Sequence, residues 1–234
     1  MIPTTGDRRF DVHPSDFPRR SFVYRRLEAA GCTWRDRNGA AVAAAFPGRA
    51  GAAGAVGLAD LSPLVRWGVK GAGAVDWLQR EGWRVPELNN CAERMDDGTL
   101  VARLADGEAL LLDNPAEASA RLGDLMEAEM LPRCYGVPRA DSHLWFRLSG
   151  TMGPGCLAKV CGVDLRLHRF ADLAVAQTSL ARLSAVIVRD DRSGIPAFHI
   201  LADSASALYL WDCLTDAMAE FDSRLLGLND LSEV

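Results

Sequence analysis

The sequence predicts an α+β fold built from two ferredoxin-like β-α-β-β-α halves that repeat one unit. Three observations predict it. The order strand, helix, two strands, helix occurs over residues 64–130 and again over 143–221. A glycine closes the first strand of each copy, Gly71 and Gly150, at an offset of 79. The tripeptide Ala-Arg-Leu recurs at 102–104 and 181–183 with the same offset of 79; Asp113 and Asp203, after the hairpins, stand 90 apart, which makes the second hairpin longer by 11 residues. Each half would carry a sheet with helices on one face, and pairing the halves would cover what each leaves open.

In the first half, LVRWGVKG (64–71) alternates as a strand does, and AGAVDWLQREG (72–82) places Val75 and Leu78 on one helical face. TLVARLADGEALLLD (99–113) is two apolar runs around Ala-Asp-Gly-Glu, a hairpin in which Asp-Gly supplies a positive φ. NPAEASARLGDLMEAEM (114–130) reads as a helix with Asn114 as N-cap and Pro115 at its first position. In the second half, HLWFRLSG (143–150) is the strand and PGCLAKVCGVD (154–164) the helix. Residues 177–203 read as two strands around Asp-Asp-Arg-Ser-Gly. The last helix, 204–221, spaces Leu208, Trp211, Leu214 and Met218 along one face. Residues 1–63 read as an arm, a helix over 22–32 and a small-residue leader packing on the first half. Residues 131–142 read as a linker and 222–234 as a tail.

The glycine-rich stretch LSGTMGPGCLAKVCG (148–162) has the look of a phosphate-binding corner. Its counterpart in the first half is VKGAGAVDWLQREG (69–82), and two copies of one corner point to backbone geometry rather than to two phosphates. Lys159 stands too far along for a P-loop lysine, and position 76, where a dinucleotide fingerprint needs glycine, is Asp.

Composition excludes several classes. The net charge of −5 and pI near 5.4 argue against a nucleic-acid partner. The N-terminus has no apolar run of the signal-peptide kind, and the most apolar stretch, 40–46, is too short to span a bilayer, so a cytoplasmic protein without membrane contact is expected. Six cysteines form no C-x-x-C pair and four histidines are scattered, so no metal site is expected. Cys156 and Cys161 read as small core residues, and His199 as a core or interface histidine.

VGLADLSPLVRWGVKGAGAVDWL (56–78) and RRSFVYRRLEAAGCTW (19–34) resemble the opening of the glycine-cleavage T-protein (aminomethyltransferase) family. The second half is similar to the gamma subunit of heterotetrameric sarcosine oxidase, through LSGTMGPGCLAKVCGVDL (148–165), AVAQTSLARLSAVIVR (174–189) and AFHILADSASALYLWDCLTDAMAEF (197–221). The resemblance implies a folate-binding T-protein-like fold without the T-protein's C-terminal barrel. It implies a non-catalytic, assembling chain in a complex that oxidatively demethylates sarcosine or a related N-methyl amino acid. FAD, FMN, NAD and tetrahydrofolate would be carried by partner alpha and beta subunits, beside a small delta subunit.

A T-protein needs one carboxylate near the folate nitrogen, to stabilise a cation or relay a proton. The matching text here is MDDGTLVARL (95–104), so Asp96 and Asp97 are the folate-pocket candidates. Asp96-Asp97-Gly98 reads equally as a plain turn. With Asp97 in the pocket, the alternative is a stand-alone tetrahydrofolate-dependent aminomethyltransferase or demethylase. The arginine- and aromatic-rich arm (8–26) and the tryptophans suggest a partner interface, with Phe17, Arg19, Arg20, Tyr24 and Trp211 as candidates.

Overall fold

The structure, a computed structural model, describes residues 12–48 and 55–231. The first residues of the arginine-rich arm (8–11) and the end of the tail (232–234) lie outside the described residues. After a short 3-10 turn, the elements in chain order are α1 (Tyr24–Ala29), β1 (Thr33–Arg37), β2 (Ala40–Ala45), β3 (Val56–Asp60), β4 (Arg66–Lys70), α2 (Ala74–Arg80), β5 (Cys91–Arg94), β6 (Leu100–Ala105), β7 (Glu108–Leu112) and α3 (Ala120–Glu127). They continue with β8 (Tyr135–Pro138), β9 (His143–Ser149), α4 (Gly153–Ala158), β10 (Val175–Leu180), β11 (Leu183–Arg189), β12 (Ala197–Asp203), α5 (Ala207–Met218), β13 (Ser223–Leu226) and α6 (Leu228–Leu231).

Two sheets dominate. One runs β5-β6-β7-β4-β8, the other β10-β11-β12-β9-β3-β13, and a separate hairpin joins β1 to β2. The alternation of each strand divides its side chains between two layers. Val101, Ala109 and Leu111 pack with α2 and α3, among Trp77, Leu78 and Leu122. Leu144, Phe146, Leu148 and Ile200 pack with α4, α5 and α1. Between the sheets, Leu100, Ala102, Leu110 and Leu112 of the first meet Trp145, Val188 and Leu201 of the second. The result is an α+β architecture of two facing sheets with helices outside, and no sheet closes into a barrel among the described residues.

The corners follow one pattern. Gly71 has φ +127 and Gly150 φ +121, and each N–H bonds a carbonyl next to its own sheet's hairpin, Gly107 and Pro196, at 2.9 Å. A Cβ on Gly71 would stand 2.1 Å from the Arg133 carbonyl oxygen, and one on Gly150 2.4 Å from that of Ala55. Only glycine fits a chain that turns this way so close to a neighbouring backbone. Lys159 binds the Ala217 carbonyl at 3.0 Å and Glu220 at 2.8 Å, and so tethers α4 to the end of α5.

Several expectations need correction. Each half has three strands between its helices, not two, because Cys91–Arg94 adds an edge strand and 175–189 folds into a hairpin. That hairpin turns at Ala181 (φ 48) and Arg182 (φ 67), so this Ala-Arg-Leu lies in a turn, whereas 102–104 lies inside β6. The tripeptide match is therefore accidental. The unusual turn is held from outside, by Ala181 N–H on the Val160 carbonyl at 2.7 Å and the Tyr209 hydroxyl on the Ala181 carbonyl at 3.1 Å. The Asp106-Gly107 hairpin forms as expected, but Gly107 has no positive φ; a Cβ there would meet Gly71 O at 2.7 Å, so closeness selects the glycine. Helix α3 starts at Ala120 behind its cap Ser119, not at Asn114, because the buried Asp113 carboxylate accepts both Asn114 N–H (2.9 Å) and Ser119 N–H (2.8 Å) and folds 114–119 into a loop. The leader packs on the second half: β3 pairs with β9, and Val23, Leu27, Trp34 and Ala43 join the core around α5. The linker contains β8, and the tail contains β13 and α6.

Candidate functional site

Two bridges join the sheets. At one edge, Ala92 N–H bonds the Leu173 carbonyl (2.7 Å) and Val175 N–H the Asn90 carbonyl (2.9 Å), while Gln177 donates to Asn90 Oδ1 (2.8 Å) and the Leu104 carbonyl (2.7 Å). Toward the other edge, Arg66 donates to the carbonyls of Ser62 (2.5 Å), Leu64 (2.9 Å), Ala140 (2.6 Å) and His143 (3.1 Å from Nε). Between these bridges the apolar layer is interrupted by a polar island around Asp190.

Asp190 ends the β11 side of the long turn into β12 and its side chain is 1% exposed. Its carboxylate accepts from Arg94 Nε at 2.9 Å, Arg192 Nε at 2.8 Å and His199 Nε2 at 3.3 Å. Arg94 belongs to β5 of the other sheet, so this pair ties the two halves. Burial alone would raise the Asp190 carboxyl; the hydrogen bonds from His199 and Arg94 and the charge of Arg192 outweigh it and hold the group well below the ordinary carboxylate range. His199, 1% exposed on β12, receives the Trp145 indole N–H on Nδ1 at 3.0 Å. That bond places the imidazole proton on Nε2, facing Asp190. Burial lowers the His199 pKa, so the ring is neutral with a fixed tautomer.

A cavity of about 110 Å³ opens on this island, lined by Arg147, Asp190, Arg192 and His199, by the 114–116 loop and by Leu231. The loop wall is fixed from behind: Arg37 donates to the carbonyls of Asn114 (2.8 Å), Ala116 (3.2 Å) and Pro115 (3.4 Å). Arg147 extends from β9 beside Trp145 and is 3% exposed. Burial lowers its pKa to about 10, and the Asp190 charge partly restores it.

The residues expected to form a site are placed differently. Asp96 is exposed and pairs with Arg84 at 3.0 Å. Asp97 caps the β5–β6 turn, accepting from Thr99 N–H at 3.0 Å and the Ser119 hydroxyl at 2.6 Å; burial opposes these bonds, yet its pKa is lowered. Neither carboxylate lines the cavity. Of the interface candidates, Trp211 is 3% exposed and packs edge-on against Phe146, centroids 5.3 Å apart, so it is a core residue rather than a surface anchor. Phe17 and Tyr24 are half-buried against the chain's own core. Arg19 is exposed and pairs with Asp141 at 3.3 Å, and Arg20 lies over the Tyr24 ring at 5.6 Å. The described part of the arm is thus laid on its own chain. All six cysteines are free, and no metal-binding cluster of His, Cys, Asp or Glu occurs among the described residues. No helix there is long and apolar enough to cross a membrane.

Sequence reasoning missed Arg147, Asp190 and Arg192. One signal was available for Arg147: a charged residue inside an otherwise apolar strand, HLWFRLS, all but its first residue buried.

No family model matches the chain, and no curated protein matches it. Solved structures do. A chain of heterotetrameric sarcosine oxidase from Corynebacterium sp. U-96, in complex with pyrrole 2-carboxylate, aligns with a TM-score of 0.64 at 22% identity, over 88% of this chain and 97% of that one. The glycine cleavage system aminomethyltransferase T from Bartonella henselae aligns with a TM-score of 0.66 at 19% identity, over 91% of this chain and 60% of that one. The fold is the one these two proteins share. They represent the two families that the sequence motifs resemble.

Proposed function

We propose that this chain is a gamma-type subunit of a heterotetrameric, sarcosine-oxidase-like complex, and that its own role is assembly. The alignment with the sarcosine oxidase chain carries this reading, because it takes in 97% of that chain and 88% of this one. Most of this chain thus has a counterpart in nearly the full length of one chain of a heterotetrameric enzyme. The aminomethyltransferase extends well beyond the alignment, which covers 60% of it. In this reading alpha and beta partners carry FAD, FMN, NAD and tetrahydrofolate beside a small delta subunit, the complex demethylates sarcosine or a related N-methyl amino acid in the cytoplasm, and the two halves descend from one duplicated unit. The shared order of elements in the two sheets and the paired corners at Gly71 and Gly150 support the duplication. Among the described residues of the arm, Arg19 and Arg20 are exposed and are the candidates retained for a partner contact.

The cavity described above is about a third of the ~300 Å³ at which ligand pockets for larger molecules begin, too small for a flavin or a folate. Asp97, on which the stand-alone folate-dependent alternative rests, is engaged in a turn. The test is co-expression with the large subunits of such an oxidase, followed by size exclusion with flavin absorbance. Co-elution of this chain with the flavin supports the reading; elution alone in every combination refutes it.

A further inference from the structure

We propose that the cavity between the two sheets binds a small carboxylate, of the size of formate or acetate, on Arg147 and Arg192. This goes beyond the assembly role and does not depend on it.

The charges around the cavity do not balance. Arg94, Arg147 and Arg192 bring three guanidinium groups to a region that holds a single carboxylate, Asp190. His199 adds none, since it is neutral, and Asp191 is occupied by Arg189 at 2.5 Å. Asp190 binds Arg94 and Arg192 directly, which leaves Arg147 as surplus. A guanidinium carries five N–H donors and stays charged at neutral pH. Among the described residues, the Arg147 side chain makes no hydrogen bond, although it is 3% exposed and lines the cavity. A buried charge without hydrogen bonds is costly, and natural folds leave such groups where something else supplies the acceptors.

The surroundings choose the class of ligand. Two arginines on one wall match a planar, two-oxygen anion, which a guanidinium fork binds through parallel bonds. The rest of the lining is Asn114 together with the apolar residues Pro115, Ala116 and Leu231. A carboxylate with a hydrogen or methyl group at its other end satisfies both kinds of lining. A phosphate, larger and with oxygens in four directions, would turn some of them toward Pro115, Ala116 and Leu231, which offer no side-chain donor. Asp190 also lines the cavity and repels any anion, but its carboxylate oxygens are already engaged by Arg94, Arg192 and His199. The walls are rigid, held by the Arg37 bonds to the loop and by the Trp145–His199–Asp190 chain.

The test titrates ¹³C-formate and acetate into the full chain at constant ionic strength, followed by NMR of the ligand and of the Trp145 indole N–H. Saturable binding at one site is expected, with formate and acetate competing and the indole resonance shifting. Arg147→Met is expected to weaken binding at least about tenfold, as loss of a charge-assisted pair does. Arg192→Met, which leaves Asp190 its bond to Arg94, weakens it too and keeps the test decisive if Arg147→Met fails to fold. The proposal is overturned by absence of saturable binding, or by binding that survives either folded substitution. It is also overturned if inorganic phosphate binds as tightly as formate, or if 5-formyl-tetrahydrofolate saturates the same site. Residues 232–234, Ser-Glu-Val, follow Leu231 directly. If a chain ending at 231 binds formate and the full chain does not, the site belongs to the protein's own carboxylates and the proposal falls.

Discussion

Replacing Gly150 by alanine tests the corner geometry on which the second half depends. At φ +121 a non-glycine residue is strained by about 1–3 kcal/mol. The added methyl would also stand 2.4 Å from Ala55 O, 2.9 Å from Ala55 C and 3.0 Å from Val56 Cα. These are backbone atoms leading into β3, which is hydrogen-bonded to β9 on one side and β13 on the other and cannot swing aside. Overpacking of this kind adds another ~1–3 kcal/mol. The expected loss is therefore about 4 kcal/mol. Gly123→Ala is the control: it lies inside α3, has no positive φ and has nothing within 4 Å of the new methyl, so a gain of up to ~1 kcal/mol follows from helix propensity. Urea unfolding followed by tryptophan fluorescence reads both. With a slope of about 2 kcal/mol per molar urea, Gly150→Ala lowers the midpoint by roughly 2 M. A Gly150→Ala midpoint equal to that of Gly123→Ala would falsify the account. So would an unperturbed Gly71→Ala, whose methyl would stand 2.1 Å from Arg133 O.

Other consequences follow from the same structure. His199 is held below its ordinary 6.5, so its contribution to stability is complete above that pH and is lost as the pH falls from 6.5 through its lowered folded value, where only the unfolded chain takes up the proton. His199→Gln can keep both hydrogen bonds and does not titrate; the stability difference between wild type and variant shrinks on acidification from about pH 7 to about pH 5, and a constant difference contradicts the neutral-histidine assignment. Arg66→Met strands four buried carbonyls and is expected to cost roughly 3–5 kcal/mol in urea unfolding; a change under about 1 kcal/mol rules out the staple role. Trp211→Ala costs about 3–5 kcal/mol in the isolated chain, as a core truncation does, whereas a stable variant that loses only partner binding would return Trp211 to the surface. Asp97→Asn costs about 1 kcal/mol or less and leaves formate binding unchanged, since its contacts are those of a turn.

The elements read correctly from sequence are those whose signal is local. The alternation of 64–71 and 143–150, the buried Trp211, Leu214 and Met218 of α5 and the two corner glycines each follow from periodicity or from one backbone requirement, whereas Leu208, expected on the same face, is 51% exposed and Leu210 takes its place in the core. The misread elements depend on partners distant in sequence. The Ala181-Arg182 turn has neither glycine nor asparagine and exists because Val160 and Tyr209 hold it. Asn114-Pro115 has the chemistry of a helix start, yet Asp113 claims the backbone of the following residues for itself. The same interactions hid the site. Asp-Asp-Arg-Ser-Gly reads as a solvated turn, and nothing local shows that its first aspartate is buried under an arginine 96 residues earlier in the chain. The misread loop 114–116 is one wall of the cavity, so the error about the helix and the missed site have one cause.

Two buried arginines separate a staple from a site. Arg66 on β4 and Arg147 on β9 both lie in the layer between the sheets, on the first strand of their respective halves. Burial lowers both to about 10, so titration does not tell them apart. Their hydrogen bonds do. Arg66 is surrounded by carbonyls from the β3–β4 turn and the approach to β9, and its donors are consumed in joining the halves. Arg147 has the same depth and charge, a cavity in front of it, and no acceptor among the described residues. The Arg147 donors open onto the cavity, where the proposed carboxylate would accept them. Water would meet the donors but leave the excess positive charge untouched, whereas a small carboxylate meets the donors and offsets one of the two charges in excess of Asp190.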